Sequence, residues 1–184
     1  MKIYYVTGNE LKIKLAKKIF KDSDVEIIQK NIETPEIQSL DSKEVAEFSA
    51  SWAAEKLNIP VLKNDSAFCI ETLDNFPGAL AKYAEDTIKA EGYIRLLENV
   101  ENRKCFWVEV LSYCEPGKKP VSFTSYSYGT ISKDVRDGRG YDYDKIFIPN
   151  GDTRTFSQMS EEEQINYFSD DAYLKLYDYL KSKK

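Results

Sequence analysis

Short apolar runs alternate along the chain with longer stretches in which apolar residues recur at helical spacing. Lys2 to Val6 predicts a first strand that runs directly into Thr7-Gly8-Asn9. A helix is predicted from roughly Glu10 to Phe20, and Val25 to Ile28 predicts a second strand. The apolar face of the helix comprises Leu11, Leu15, Ile19 and Phe20.

A second helix is predicted to begin after Asp41, because Glu44 stands three residues later as in a capping box. Ile59 to Leu62 then predicts a buried strand that ends at Asn64-Asp65-Ser66. The helix between these features is expected to bury an apolar face made of Val45, Phe48, Trp52 and Leu57.

The second half of the chain predicts a loop with Phe76-Pro77-Gly78 and a helix from Leu80 to Leu97 that is weakest at Gly92. Strands near Cys105 to Cys114 and Val121 to Ile131 are expected to form a hairpin. The remaining predictions are a strand at Lys145–Ile148, a capping box at Ser160 and Glu163, a helical region broken near Phe168, and a frayed tail from Lys181.

Strands that alternate with helices, together with a hairpin, predict an α/β fold: a mixed, elongated β-sheet flanked by helices. The 184 residues suit one domain, 1–184. The net charge of −5 argues against a nucleic-acid-coating surface, and no apolar run predicts a membrane span or signal peptide. Three cysteines without close pairing favour reduced thiols and a cytoplasmic location.

The chain contains no histidine. Serine and cysteine hydrolase triads, imidazole bases and the common zinc hydrolase sites are therefore excluded. Any hydrolysis must depend on carboxylates, a metal, lysines and backbone amides.

The first candidate for chemistry is Thr7-Gly8-Asn9 with Lys12. A strand ends there and a helix begins, so backbone amides and the positive end of the helix dipole suit a phosphate, which Lys12 can also reach. The alternative is an ordinary strand-to-helix turn in which Asn9 is the N-cap.

Carboxylates provide the second candidate. Glu36, held after a proline, and Asp65, at the end of an apolar strand, are the oxygen ligands that Mg²⁺ prefers, and Asp65 can also orient a water. The alternatives are a solvated loop glutamate for Glu36 and a helix cap or turn aspartate for Asp65. In a third segment, Tyr141 and Tyr143 can stack on a base and Asp144 can accept from a ring N–H, unless the tyrosines simply pack.

In order and spacing, these segments resemble the inosine-triphosphate-pyrophosphatase family over almost the whole chain. The matching segments are Thr7-Gly8-Asn9-x-x-Lys12, Pro35-Glu36-Ile37-Gln38, Asn64-Asp65-Ser66, Phe76-Pro77-Gly78, Tyr143-Asp144-x-Ile146-Phe147-x-Pro149 and Thr155-Phe156-x-x-Met159.

The resemblance implies an ITPase-like fold with a central cleft, a homodimer, and Mg²⁺-dependent hydrolysis of a nucleoside triphosphate to the monophosphate and pyrophosphate. By position it implies catalytic Asp65 and Lys12, and metal ligands Glu36 and Asp65. It implies substrate contacts at Thr7, Gly8, Asn9, Lys12, Ser66, Phe76, Pro77, Gly78, Tyr141, Tyr143 and Asp144.

The sequence also departs from the family's pattern. Leu15, Ser49 and Asn64 stand where the family carries charged groups, and Gln164 replaces a lysine. Phe168-Ser169-Asp170 replaces the family's Ser-His-Arg, whose arginine reads the 6-oxo group of deaminated purines such as ITP and XTP. An ionised aspartate cannot donate to that carbonyl, so base specificity is expected to be altered unless Arg139 or Arg154 takes over.

Three interpretations remain open at this point. The first is an active pyrophosphatase with changed or relaxed base preference. The second is a non-catalytic nucleotide-binding protein on the same fold. The third is an α/β interaction domain whose motifs are coincidental.

Overall fold

A computed structural model describes residues 1–35 and 37–183. The strands are β1 Lys2–Val6, β2 Glu26–Lys30, β3 Val61–Ile70, β4 Pro77–Gly78, β5 Lys104–Cys114, β6 Val121–Ile131 and β7 Phe147–Pro149. The α-helices are α1 Glu10–Ile19, α2 Ser42–Leu57, α3 Ala81–Leu96, α4 Glu161–Ile165 and α5 Asp171–Ser182. Short 3-10 helices cover Glu71–Leu73, Tyr143–Lys145 and Phe156–Gln158.

The strands form one mixed sheet in the order β2-β1-β3-β5-β6-β7, with β4 paired to β3. The β1 strand is parallel to β2 and β3, whereas β3 with β4 and β6 with β7 are antiparallel. The predicted α/β class with a mixed sheet flanked by helices is confirmed. The elongated shape, the central cleft and the assignment of residues 1–184 to one domain stay predictions.

The chain divides into two compact units. Unit 1 contains Met1–Asp65, Glu109–Ser125 and Asp170–Lys184. Against α2 it buries a cluster of small and β-branched residues, namely Val6, Ala50, Ala53, Ala54, Val61 and Cys114. Aromatic rings join α1 to α5 in the same unit: Phe20 at the end of α1 contacts the rings of Tyr173 and Tyr177 in α5.

Unit 2 contains Ser66–Val108 and Tyr126–Ser169. Its core is rich in aromatic rings around Phe68, which contacts Trp107, Tyr143 and Phe147. The helix α3 closes this core with Ala84, Ala90 and Tyr93, and its C-cap Leu97 is buried in the same cluster.

The predicted apolar face of α2 is wrong in part. Val45 is buried, but Phe48 is 40% exposed, and the positions against the sheet are mainly Ala46, Ala50, Ala53 and Ala54. Small residues allow the helix to pack close to the strands, so the larger side chains are displaced towards the rim. Asp41 does cap α2 through Lys43 N, but the carboxylate of Glu44 accepts from Ser39 Oγ instead.

Three further predictions are corrected. The β3 strand does not end at Leu62 but continues through Asn64-Asp65-Ser66 to Ile70, where β4 pairs with Phe68 and Cys69 and β5 is the neighbouring strand. The non-helical residue of α3 is Lys89, with φ 60° and ψ 173°, rather than Gly92. The strand expected at Lys145–Ile148 is a 3-10 turn followed by the shorter β7.

The tail predicted to fray from Lys181 is wrong in part, because α5 continues to Ser182. Other predicted elements agree with the structure. The Ser160 and Glu163 capping box is present, and the helical region breaks between Ile165 and Asp171. The three cysteines are free and buried. Within residues 1–35 and 37–183, no helix is both long and apolar enough to cross a bilayer.

Candidate active site

The turn between β1 and α1 is held by its own side chains. Thr7 Oγ1 accepts from the backbone N–H of Asn9 at 3.1 Å. Asn9 Oδ1 accepts from the N–H groups of Leu11 at 2.9 Å and Lys12 at 3.3 Å, so Asn9 is the N-cap of α1. The amides of Leu11 and Lys12 are thus already bonded. The side-chain donors that this turn can offer to an anion are the Thr7 hydroxyl proton and the Asn9 Nδ2 group.

Strand β1 ends at Val6, whereas the parallel strand β3 continues past Leu62 to Ile70. The register pairs Tyr5 with Leu62, and extending it by two residues places Thr7 alongside Asn64. Thr7 N donates to Lys30 O on the opposite side, which fixes the turn against β2. The extended register thus brings the start of the turn to the level of Asn64 along β3, the position at which a phosphate site at the end of β1 would meet that strand.

The two polar residues of β3 point to opposite faces, because successive side chains of a strand alternate. Asp65 shares the face of Val61, which packs against α2. Asn64 is buried on the other face, where its Nδ2 donates to Glu109 Oε2 on β5 at 2.6 Å.

Glu109 is a candidate site residue that the sequence did not reveal. Its Oε2 lies 3.9 Å from Lys12 Nζ, and the two side chains are only 19% and 25% exposed. The available signal was one acidic residue inside the otherwise apolar run Phe106 to Leu111. A charge in such a run is seldom buried without a partner, so it marks a candidate site.

Ser49, which stands where the family carries a lysine, is buried in α2. Its hydroxyl donates to the carbonyl of Pro35 at 3.4 Å, which ties the loop before α2 to that helix. The predicted metal ligand Glu36 lies outside the described residues. Leu15 faces the core of unit 1 and is 9% exposed.

Unit 2 brings together the remaining predicted substrate residues. Cys69 of β3 pairs with Pro77 and Phe68 with Gly78, while Phe76 is 40% exposed and Pro77 is buried. Ser66, at the start of the same unit, is half-buried. The ring of Phe68 lies 4.6 Å from that of Tyr143, so the two loops meet around one aromatic side chain.

The loop at 140–144 is stabilised by its own aspartate. Asp144 Oδ2 accepts from Tyr141 N at 2.8 Å, and a Cβ on Gly140 would lie 2.1 Å from that oxygen, so glycine is required there. Burial raises the pKa of Asp144 to about 6; the Tyr141 N–H opposes this shift and the charge of Glu85 adds to it. The carboxyl therefore titrates close to neutral pH.

Tyr141 and Tyr143 have different environments. Tyr141 is 63% exposed, whereas Tyr143 is 4% exposed. The Tyr143 hydroxyl donates to Ala81 O at 2.8 Å and lies 3.0 Å from the Tyr93 hydroxyl. Its ring packs against those of Phe68, Tyr93 and Trp107, so little of Tyr143 is accessible to a base.

Arg154, one suggested substitute for the missing base-reading arginine, is engaged elsewhere. Its guanidinium donates to Asp152 Oδ2 at 3.0 Å and to Glu163 Oε1 at 2.8 Å. Gln164 is also structural, because its Nε2 donates to Phe156 O at 2.8 Å. In unit 1, Asp170 lies at the N-terminus of α5, where its side chain makes no capping hydrogen bond.

A model of the Ham1 family matches residues 3–170. The chain belongs to the Ham1 family. It is 42% identical to the dITP/XTP pyrophosphatase of Methanopyrus kandleri over 164 residues, which cover 89% of this chain and 87% of that relative. A protein of the same name from Thermococcus kodakarensis is 37% identical over 89% of this chain and 88% of the relative.

Solved structures agree with the fold of this Ham1-family chain. The Staphylococcus aureus Ham1 protein superposes with a TM-score of 0.78 at 25% identity over the whole of both chains. A Coxiella burnetii HAM1 protein gives the same TM-score at 21% identity over 99% of each chain. The predicted family membership is therefore confirmed.

The described residues of this Ham1-family site suit a divalent metal that also binds the phosphates of the substrate. Among the described residues no three histidine, cysteine, aspartate or glutamate side chains cluster as a metal site. Asp65 is a half-buried carboxylate beside the candidate phosphate turn. Mg²⁺ commonly binds one or two carboxylates plus substrate phosphates and waters, so the donor set suits a metal that arrives with a polyphosphate.

Proposed function

We propose that this chain hydrolyses a nucleoside triphosphate to the nucleoside monophosphate and pyrophosphate. The observation that carries the proposal is the Thr7–Lys12 turn beside the β3 edge that holds Asp65. The relatives named dITP/XTP pyrophosphatases support the same reaction and suggest deaminated purine triphosphates as substrates.

In the proposed complex the phosphates bind at the turn of unit 1. Thr7, Gly8 and Asn9 supply hydrogen-bond donors, and Lys12 neutralises phosphate charge. Ser66, in unit 2, is proposed as a substrate contact. Asp65 orients and deprotonates the water that attacks the α-phosphorus, since carboxylates are among the general bases left to a chain without histidine. The water oxygen bonds to the α-phosphorus as the bond to the bridging oxygen breaks, and pyrophosphate leaves.

The proposed metal is Mg²⁺, held by Asp65 and Glu36 together with phosphate oxygens. When bound, it neutralises the charge that develops on the phosphates. The proposed base site is formed by Phe76, Pro77, Gly78, Tyr141, Tyr143 and Asp144. A cytoplasmic location, supported by the three free thiols, and a homodimer, which rests on the family resemblance, complete the proposal.

Pyrophosphate release with Mg²⁺, measured on ITP, XTP, dITP, ATP, GTP, CTP and dUTP, tests the reaction. Asp65→Asn is the matched variant, because it keeps the size of the side chain and removes the charge. We expect the variant to lose at least about 100-fold in kcat while it retains nucleotide binding.

Two other outcomes would change the proposed function. Full turnover by Asp65→Asn would refute the assigned role of Asp65. No turnover by the wild type, combined with a higher melting temperature in the presence of nucleotide, would replace the proposed reaction with nucleotide binding without catalysis.

A further inference from the structure

Glu109 connects the candidate phosphate turn to the middle of the sheet. Its Oε2 accepts from Asn64 Nδ2 at 2.6 Å and lies 3.9 Å from Lys12 Nζ. One carboxylate oxygen thus faces an amide donor on β3 and an ammonium on α1. Both charged side chains are largely screened from solvent, with 19% and 25% exposure.

The surroundings favour an ion pair between these two groups. Leu15, one helical turn after Lys12, is turned into the core of unit 1 and supplies no charge. Close to Glu109, the hydroxyls of Tyr5 and Tyr173 lie 3.2 Å apart. Burial raises the pKa of both hydroxyls, and the charge of Glu109 raises it further, so both stay protonated and neutral.

The two faces of β3 separate Glu109 from the proposed metal ligand. Asn64 and Glu109 lie on one face, whereas Asp65 points to the face that packs against α2. Glu109 is therefore placed to act on Lys12 rather than to join Asp65 around a metal.

We propose that Glu109 is a positioning residue for Lys12: it holds the ammonium beside the phosphate turn in the empty site and competes with the incoming polyphosphate for it. The proposal rests on the proposed function, in which Lys12 binds phosphate. Before phosphate binds, Lys12 is neutralised by Glu109, and each bound phosphate must share Lys12 with that carboxylate. Glu109 thereby lowers affinity for the substrate and product while it fixes where the positive charge stands.

Glu109→Gln tests both proposed effects of Glu109, namely the lower affinity for phosphates and the fixed position of the Lys12 ammonium. The glutamine keeps an oxygen that accepts from Asn64, but it has no charge to hold Lys12. We expect inorganic pyrophosphate to bind about three- to tenfold more tightly, because the phosphates no longer share the Lys12 ammonium with a carboxylate. We expect kcat to fall by about tenfold, because Lys12 is no longer fixed.

The experiment measures the Kd of inorganic pyrophosphate by calorimetry, and kcat and KM on the best triphosphate, for four proteins: the wild type, Glu109→Gln, Lys12→Met and the double variant. If Glu109 acts through Lys12, Glu109→Gln changes neither constant in the Lys12→Met background. Glu115→Gln is the charge-matched control, since Glu115 follows the same strand but pairs with Lys183. It should leave the pyrophosphate Kd unchanged.

Several outcomes would overturn the proposal. Pyrophosphate affinity that is unchanged in Glu109→Gln, or an effect that persists in the Lys12→Met background, would remove the link to Lys12. If Glu109→Gln raises the Mg²⁺ concentration needed for half-maximal activity, both in the wild type and in Lys12→Met, Glu109 would be a metal ligand instead. If Glu109→Gln does not fold, Glu109→Asp tests the same point: the charge stays, so affinity should stay near that of the wild type while kcat falls.

The binding cycle does not depend on turnover. A wild type that hydrolyses no triphosphate would refute the proposed function, yet the pyrophosphate Kd values of the four proteins would still decide whether Glu109 competes for Lys12.

Discussion

The hydroxyl of Tyr143 lies 3.0 Å from that of Tyr93 and donates to the backbone carbonyl of Ala81 at 2.8 Å. This arrangement anchors the 140–144 loop to α3 within the core of unit 2. The ring also belongs to this core, because it packs against the rings of Phe68, Tyr93 and Trp107.

Tyr143→Phe should therefore destabilise the protein more than it impairs substrate binding. Loss of the hydroxyl leaves the buried Ala81 carbonyl without this donor, which costs about 1–2 kcal/mol of unfolding free energy. Urea unfolding and the KM for the preferred triphosphate would be compared with those of Tyr93→Phe. A large rise in KM at unchanged stability would assign the Tyr143 hydroxyl to the substrate.

Asn9→Ala should lower the free energy of unfolding by about 1 kcal/mol, because Asn9 Oδ1 caps α1 through two backbone N–H groups. Asn9→Ser is the control, since serine also caps helices but lacks the Nδ2 donor. We expect the serine variant to recover stability and not activity. Recovery of both would show that Asn9 serves only as the cap.

Asp144→Asn should alter how stability depends on pH. Asp144 titrates near 3.8 when unfolded and about 6 when folded, so the folded state holds its proton more tightly. The stability that this proton confers is present below about pH 4 and is lost as the pH rises to about 6.

Relative to the wild type, Asp144→Asn should therefore gain about 1–2 kcal/mol between pH 4 and pH 7, after allowance for partial solvent screening. Thermal or urea unfolding across this range measures the difference. A constant difference at all pH values would show that the pKa of Asp144 is not raised.

Base preference should differ from that of a standard ITP and XTP enzyme. Asp170 stands in place of the family's arginine, and Arg154 is held by Asp152 and Glu163. We expect kcat/KM for ITP and XTP to exceed that for ATP and GTP by much less than about 100-fold. A full 100-fold preference would contradict this expectation.

Two variants test whether an arginine substitutes for the missing one. Arg154→Ala should leave the ranking of bases unchanged, because its guanidinium is already paired within unit 2. Arg139→Ala is the comparison, and a change of ranking in Arg139→Ala alone would identify Arg139 as the donor.

The sequence by itself determined the order of elements, the family and most candidate residues. Strand β1, the N-cap Asn9, the hairpin strands and the capping box at Ser160 follow from local patterns, because propensity and capping act over a few residues. The absence of histidine likewise restricted the chemistry before any fold was known.

Tertiary structure decided which of these residues meet. Asp65 lies within a strand and not at its end, because pairing with neighbouring strands extends β3 beyond its apolar run. The pairing of Glu109 with Lys12 and Asn64 joins residues far apart in sequence, and no local pattern encodes such a contact. The Tyr143 hydroxyl likewise bonds to residues of α3 that are distant in sequence. A buried hydroxyl needs a hydrogen-bond partner, and only the fold determines which groups lie near enough to provide one.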